Sequence, residues 1–173
     1  MGAYFDEMKR AMTYLGKDPR TIFLGQWYSR LPATLADVPE GKKLELPVIE
    51  DAQMGMSIGL SLAGFVPISC YVRWNFLLLA ANQLVNHLDK LEQTSHGGYK
   101  PKVIVRTAVG STRPLLPGCQ SDGDFTAAFR LMLTNVDIVT LKEPEDIFPA
   151  YEKALRSERS TILVEYGNAY LDK

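Results

Sequence analysis

Short apolar runs alternate along this chain with longer segments that have the apolar spacing of a helix. Apolar residues at positions 4, 5, 8, 11, 12 and 15 predict a first helix, and Gly16 ends it. The predicted strands are Thr21–Gly25, Leu46–Glu50, Pro67–Val72, Lys102–Arg106, Val136–Leu141 and Thr161–Tyr166. The predicted helices are Ala3–Leu15, Gln53–Ala63, Phe76–Leu91 with Asn75 as its N-cap, Asp124–Leu133 and Pro144–Arg156, with an extended loop over Gln26–Lys43.

The strand runs are rich in Val and Ile and show little alternation of apolar and polar residues. Such runs are typical of a parallel sheet that helices cover on both faces. The pattern therefore predicts an α/β fold: one doubly wound domain over residues 1–173, with a single, mostly parallel sheet. No repeat or linker interrupts the alternation.

A stretch from Ala52 to Val72 contains no charged residue. Its length would let a helix span a bilayer, and Gly55 and Gly59 form a pattern found in pairs of membrane helices. Several serines, a glutamine and Pro67 interrupt the stretch, however, and membrane insertion requires apolar strength as well as length. We interpret it as a buried helix of small residues, a turn and a buried strand, so that no membrane contact is expected.

Composition and charge restrict the function classes further. Of 173 residues 46% are apolar, and 19 basic residues face 20 acidic ones, so no nucleic-acid partner is expected. Cys70 and Cys119 cannot form a disulfide framework, and early charged residues exclude a secretory signal. The sequence predicts a cytoplasmic protein.

Motifs for self-contained chemistry are missing from the sequence. His87 and His96 have no partner at metal-ligand spacing, so no metal site is predicted. There is no phosphate-binding glycine motif after a strand and no nucleophile elbow. Judged alone, the chain lacks a complete active site.

Two residues near predicted strand ends have both an ordinary and a functional interpretation. Glu50 ends a predicted strand, and in open α/β sheets this end faces the ligand crevice. It can equally be a polar strand end, or a helix-start residue that the helix dipole favours. Phe76 is likewise either a core aromatic or a residue that stacks on a ligand.

The segment Glu50–Ile68, EDAQMGMSIGLSLAGFVPI, resembles the E-x-x-x-x-G-x-x-x-G-x-x-x-A-G-x-x-P stretch of thiamine-diphosphate enzymes. Trp74-Asn75-Phe76, followed by the run Asn82–Asn86, is similar to the F-N-F…A-x-D-Q-x-x-N helix of that family, and His96–Val103 is similar to its S-G-G-x-x-x-x-P segment. The resemblance is to the pyrimidine-binding domain, most of all to the beta subunit of 2-oxoacid dehydrogenase decarboxylase components, and then to the central domain of transketolase.

The resemblance implies roles for five residues toward thiamine diphosphate. The matching glutamate, Glu50, is the catalytic residue: it hydrogen-bonds a ring nitrogen of the aminopyrimidine, which promotes deprotonation of the thiazolium carbon. The cofactor then carries the difficult chemistry. Phe76 stacks on the ring, and Val72, Leu79 and Cys119 complete the cofactor-binding set. The helix with Gly55 and Gly59 would pack closely against a partner helix.

Departures from the family pattern imply a divided site. The G-D-G motif that holds the diphosphate and its magnesium is absent from the sequence, and the carboxy-terminal domain is expected to be absent as well. The expectation is an alpha-type partner subunit that holds them, with a homodimer contact inside a heterotetramer. Cys119 falls near the position of the family's catalytic histidine, and it is either a functional replacement or an ordinary loop residue. Leu79 stands where the dehydrogenase subunits usually have a glutamine.

Three functions follow as hypotheses. The first is an enzyme subunit that acts on a 2-oxo acid, or that transfers a ketol unit between sugar phosphates. The second is a non-catalytic homologue that serves as a binding or scaffolding subunit. The third is an unrelated flavodoxin-like binding module.

Overall fold

A computed structural model describes residues 2–26, 33–111, 116 and 118–171 of the chain. The six strands of this part form one sheet, all of them parallel, in the order β2-β1-β3-β4-β6-β5. The strands are β1 Thr21–Gly25, β2 Lys43–Glu45, β3 Val66–Cys70, β4 Ile104–Val109, β5 Val136–Leu141 and β6 Ser160–Tyr166.

Helices cover both faces of this sheet, which confirms the predicted doubly wound α/β class. Helices α1 and α6 pack on one face, and α2, α3 and α5 pack on the other. The helices are α1 Ala3–Lys17, α2 Glu50–Leu62, α3 Trp74–Leu77, α4 Leu91–Thr94, α5 Thr126–Met132 and α6 Pro144–Arg156. Four 3₁₀ turns (Ala33–Leu35, Glu40–Lys42, Leu78–Ala80, Gly167–Leu171) and a π-helical turn (Gln83–Leu88) complete the described elements.

The elements with strong local signals begin and end where the sequence predicts. β1, β5 and α6 have the predicted bounds, and α1 runs two residues longer than expected. At α6, Pro144 occupies the first turn and the Glu143 amide donates to the Asp146 carboxylate at 3.3 Å. A helix start leaves its first amides unpaired. Proline removes one of these amides, and the reciprocal cap supplies acceptors for others.

The prediction of a strand over Leu46–Glu50 is wrong. β2 lies earlier, over Lys43–Glu45, and Glu50 is the first residue of α2. Pairing ends when the Leu46 amide donates to the Gly25 carbonyl at 2.8 Å, because the following Pro47 has no amide proton. The apolar residues that suggested a buried strand are instead largely exposed; Val48 is 67% exposed.

The segment predicted as a helix over Phe76–Leu91 is helical over most of its length, but it is not one regular α-helix. The segment consists of α3, a 3₁₀ turn, a π-helical turn and α4, and Arg73 rather than Asn75 occupies the N-cap position. The π-helical turn ends where the Asp89 amide donates to the Leu84 carbonyl, five residues back. This register places the Asp89 side chain in the interior, where it is fully buried.

The Asp89 carboxylate closes the start of β5 by accepting hydrogen bonds from several donors. Its Oδ1 accepts the backbone amides of Thr134 at 2.8 Å, Asn135 at 2.6 Å and Val136 at 3.2 Å. Its Oδ2 accepts the Lys90 ammonium at 2.7 Å and the Thr134 hydroxyl at 3.0 Å. Burial raises the pKa of Asp89, but the donors from Lys90, Asn135 and Thr134 outweigh it, so that the pKa lies below its usual value.

We expect Asp89→Asn to lower the free energy of unfolding by about 2 kcal/mol at pH 7, because an amide nitrogen would replace one charged acceptor. A lowered pKa stabilises the fold above the usual value of 3.8, and this stabilisation is lost as the pH falls through the folded-state pKa. The difference between wild type and variant in urea unfolding should therefore shrink below pH 3.8. Asp137→Asn, at a half-exposed ion pair, is the control and should change stability by less than about 0.5 kcal/mol.

The chain's charge-free stretch is resolved into α2 and β3. Its helical part is the portion of α2 from Ala52 to Leu62, and Gly64 turns the chain with a φ of +92° before Val66. Among the described residues, no helix has both the length and the apolar character needed to cross a membrane.

The strand order determines where a ligand crevice can lie. β1 pairs with β2 on one side and with β3 on the other, so the order of strands reverses between β1 and β3. In open parallel sheets, ligands bind outside the carboxyl ends of the strands at such a reversal. Glu50 and α3 follow the carboxyl ends of β2 and β3, on that side of the sheet.

Candidate functional site

Glu50 is a buried carboxylate at the first turn of α2. Glu50 as a whole residue is 5% exposed, and its backbone carbonyl accepts a hydrogen bond from the buried Tyr71 hydroxyl at 3.1 Å. Within the described ranges, no side chain or amide donates to the Glu50 carboxylate. The carboxylate oxygens are not among the buried atoms that lack a partner, so they keep contact with solvent and can accept a donor from a ligand.

Tyr71 joins Glu50 to the end of β3. The Tyr71 amide donates to the Arg106 carbonyl at 2.8 Å, which fixes the backbone directly after the strand. Burial raises the pKa of Tyr71 far above its usual value, and the negative charge of Glu50 raises it further. The hydroxyl therefore stays protonated and remains a donor to the Glu50 carbonyl.

Gln53, one turn after Glu50 in α2, crosses the reversal point of the sheet. Its amide nitrogen donates to the Cys70 carbonyl at 3.0 Å and to the Ser69 hydroxyl at 3.1 Å, and it approaches the Leu24 carbonyl at 3.5 Å. These contacts bind α2 to the ends of β1 and β3. They fix the position of the start of α2, and therefore of Glu50, relative to the carboxyl ends of these two strands.

The apolar residues that the resemblance assigns to the cofactor lie on the next segment. Val72 is the second residue after β3 and is 39% exposed, Phe76 in α3 is 37% exposed and Leu79 in the 3₁₀ turn is 63% exposed. α2 packs against this 3₁₀ turn. Phe76 is therefore not a core aromatic, since the adjacent Trp74 and Leu77 occupy the core.

Cys119 lies in an exposed turn that α3 holds in place. The Ser121 amide closes the turn by donating to the Gly118 carbonyl at 3.0 Å. The Asn75 amide donates to the Gln120 carbonyl at 2.9 Å, and Arg73 donates to the Ser121 carbonyl at 3.3 Å. The Cys119 turn thus lies beside α3, on the same side of the sheet as Glu50.

One face of α2 has no neighbour among the described residues. Ala52, Met56, Gly59 and Leu62 are exposed along it, and a Cβ atom built on Gly55 or Gly59 would meet no atom within 4 Å. The opposite face carries Met54 and Ile58 into the core. The glycines are therefore not required by packing inside this chain.

His87 and His96 contribute nothing to this arrangement of side chains. In the described part of the chain, no group of three His, Cys, Asp or Glu side chains lies close enough together to hold a metal ion. His96 occupies a loop position with a φ of +51° next to Gly97.

Comparison with known proteins supplies the decisive observation. No protein-family model matches the chain. The chain is 30% identical over 127 residues to the pyruvate dehydrogenase E1 component subunit beta of Gracilaria tenuistipitata var. liui, and 31% identical over 127 residues to a chloroplastic beta-3 subunit of Arabidopsis thaliana. The chain is a homologue of pyruvate dehydrogenase E1 beta subunits. Each match covers 73% of the chain.

The chain spans only part of the length of these relatives. It spans 38% of the Gracilaria protein and 30% of the Arabidopsis protein. A longer match, to the beta subunit of Staurastrum punctulatum, is 28% identical over 163 residues and covers 90% of the chain and 49% of the relative.

Solved structures share the fold of this homologue. A structure described as a split gene transketolase, an inactive beta4 tetramer, superposes with a TM-score of 0.74 over 95% of this chain and 51% of its own, at 16% identity. Transketolase from Campylobacter jejuni superposes with a TM-score of 0.70 over 92% of this chain and 25% of its own, at 17% identity. At these identities, the similarity establishes the fold.

Sequence reasoning missed three residues that shape the site, namely Tyr71, Gln53 and Arg73. Gln53 carried a usable signal, because it is a polar residue three positions after Glu50, one helical turn further along the same face. Tyr71 and Arg73 act through contacts 21 and 48 residues away in sequence, which local patterns do not reveal.

Proposed function

We propose that this homologue is the pyrimidine-binding subunit of a divided thiamine-diphosphate enzyme, with Glu50 as its catalytic residue. The carrying observation is Glu50, a residue that is 5% exposed and whose carboxylate accepts no hydrogen bond from the described residues. It lies next to the reversal point of a sheet whose fold matches transketolase, in a chain homologous to E1 beta subunits. These observations support the proposal together.

The residues fit the aminopyrimidine half of the cofactor. Glu50 offers an acceptor to a ring nitrogen, and the half-exposed Phe76 ring offers an aromatic face to a flat heterocycle. When bound, thiamine diphosphate would supply a carbon nucleophile for attack on a substrate carbonyl. This chain would hold the ring and exchange a proton with it through Glu50.

The surrounding side chains would set the conditions for that proton exchange. The exposed apolar Val72 and Leu79 would exclude water from the ring, which strengthens the hydrogen bond to the Glu50 carboxylate. Tyr71 and Gln53 would hold the start of α2 in position. Cys119 would lie at the rim, where the family carries a histidine. A thiol is not an equivalent replacement for an imidazole as a proton carrier.

The proposal requires an alpha-type partner subunit to hold the diphosphate and its magnesium. It also assigns the exposed face of α2 to a contact between two copies of this chain within a heterotetramer. Glycine at positions 55 and 59 would let two helix backbones approach closely, and the open space above both glycines leaves room for a neighbour.

We expect Gly59→Ala to raise the free energy of unfolding of the isolated chain by about 0.5–1 kcal/mol, because alanine favours the helix and its Cβ meets no atom. Gly59→Leu should fold as well but weaken association of copies, measured by sedimentation. Gly64→Ala is the control: its φ of +92° makes alanine strained, so stability should fall. Unchanged association of Gly59→Leu would contradict the assigned contact.

The test of the proposal is to purify the chain together with the product of the neighbouring gene and to titrate thiamine diphosphate with magnesium. We expect saturable binding by the pair, weakened about 10-fold in Phe76→Ala, in line with the loss of an aromatic stack. Leu131→Ala is the matched control, because Leu131 is an exposed apolar residue of α5 that is not among the residues assigned to the cofactor. Binding that ignores Phe76, or that the chain shows without any partner, would contradict the assignment.

The substrate class follows from assays of the loaded pair. The similarity to E1 beta subunits favours decarboxylation of a 2-oxo acid. Ketol transfer between sugar phosphates is the second candidate, because Leu79 and Cys119 depart from the dehydrogenase pattern and the fold superposes on transketolase. Cofactor binding without turnover of either substrate class would indicate a binding or scaffolding subunit.

A further inference from the structure

A cleft of about 590 Å³ lies at the end of the sheet opposite Glu50 and collects positive charge. It is next to the starts of β1 and β4 and beside the last turn of α6. Four basic side chains line it against two carboxylates: Arg20, Lys100, Lys102 and Arg156, against Asp18 and Glu158. The whole chain has a net charge of −1, so this excess of cations is local.

Lys102 is the residue in this cleft whose charge is least compensated. Its ammonium donates to the Ala154 carbonyl at 2.6 Å, which uses one of three protons, and it forms no ion pair with a carboxylate of the described residues. Burial first, and then the charge of Arg20, lower the pKa of Lys102 to about 8, against the opposing charges of Asp18 and Glu158. An anion bound beside Lys102 would stabilise its charged form against both burial and the charge of Arg20.

The other basic side chains also keep free donors. Arg20 binds Asp18 through Nε at 3.0 Å and Nη2 at 2.7 Å, which leaves its Nη1 for another acceptor. Lys100 lies 3.5 Å from Glu92 and 3.9 Å from Glu158, at the long end of ion pairing. The donors in the cleft therefore outnumber its acceptors.

The helix ends explain part of this charge. The last turn of α6 ends in carbonyl groups that favour cations, and Lys102 and Arg156 lie there. Arg20 precedes a strand, and Lys100 lies in the loop before β4, so helix ends do not account for them. A ligand with several anionic oxygens would use all four donors.

We propose that this cleft binds a small molecule that carries a phosphate group, with Lys102 and Arg20 as its principal contacts. Lysine supplies a compact charge and arginine supplies paired donors, which together match a tetrahedral oxyanion. A volume near 590 Å³ has room for the organic part of such a molecule. This site is separate from the Glu50 crevice and does not depend on the proposed enzymatic function.

Titration calorimetry of the full chain with pyrophosphate, at pH 7 and low salt, tests the proposal. We expect one saturable site, weakened about 10-fold by Lys102→Met and by Arg20→Gln, as for the loss of a hydrogen bond to a charged group. Arg20→Gln leaves the Ala154 contact of Lys102 intact, so it remains informative if Lys102→Met is unstable. Lys9→Met, which removes a charge paired with Asp37 outside the cleft, should change affinity less than two-fold.

Two further measurements separate this site from general charge attraction and from the Glu50 crevice. Pyrophosphate should raise the pKa of Lys102 from about 8, followed by the NMR shift of its side-chain carbons, so affinity should fall between pH 7 and 9. Glu50→Gln should leave pyrophosphate binding unchanged. Equal losses in Lys9→Met and Lys102→Met, or an unmoved Lys102 pKa on saturation, would overturn the proposal.

Discussion

Replacing Glu165 with alanine is expected to lower the free energy of unfolding by about 3–5 kcal/mol, because it leaves a buried arginine without its counter-charge. Glu165 in β6 is 3% exposed and pairs with Arg106 in β4, with Nη2 and Oε2 3.1 Å apart. The Tyr151 hydroxyl also donates to the carboxylate at 3.2 Å, and the Tyr170 hydroxyl donates to it as well. Burial opposes the charge of Arg106, but Glu165 raises its pKa far above the usual value.

Urea unfolding of three variants tests this expectation. Glu158→Ala removes an exposed carboxylate and should change the free energy of unfolding by less than about 0.5 kcal/mol. The double variant Arg106→Met with Glu165→Leu replaces the pair with apolar residues of similar size and should recover much of the loss. A Glu165→Ala variant as stable as Glu158→Ala would show that the buried network contributes little.

Replacing Glu50 with glutamine is expected to slow turnover by the assembled enzyme about 100-fold or more, in the range for loss of an acid–base group. The same change should raise the free energy of unfolding of the isolated chain by up to about 1 kcal/mol, because removing a charge that is largely withdrawn from water outweighs the loss of its helix-dipole contact. A residue whose loss lowers activity but stabilises the fold is one retained for function.

Asp51→Asn is the matched control for Glu50. Asp51 is the next residue of α2 but is exposed, and its carboxylate accepts only the adjacent Ala52 amide at 2.8 Å in the described structure. Its loss should leave turnover within about two-fold and lower stability by about 0.3–1 kcal/mol, the usual value of a helix-dipole contact. If Glu50→Gln destabilises the chain and spares turnover, Glu50 is a structural residue.

The hydrogen bonds of the α6 cap and of Asp89 explain why local patterns predicted some elements and not others. α6 was predicted with its bounds because Pro144, the cap and the apolar stripe lie within 13 consecutive residues. The 76–91 segment was predicted as one helix because its apolar spacing is helical, yet Asp89 ends the π-helical turn by binding amides 45 to 47 residues away. That contact depends on β5 being in place.

The sequence by itself determined the α/β class, the parallel sheet, the strand and helix order, and the likeness that singled out Glu50 and Phe76. These features depend on composition and on residue spacing within short segments, and both are properties of the sequence before the chain folds. Tertiary structure alone decided that Glu50 begins a helix, that Tyr71 and Gln53 hold that helix start, and that the glycine face of α2 lies open. The physical reason is that strand order and burial bring distant residues together, and neither property belongs to any one segment.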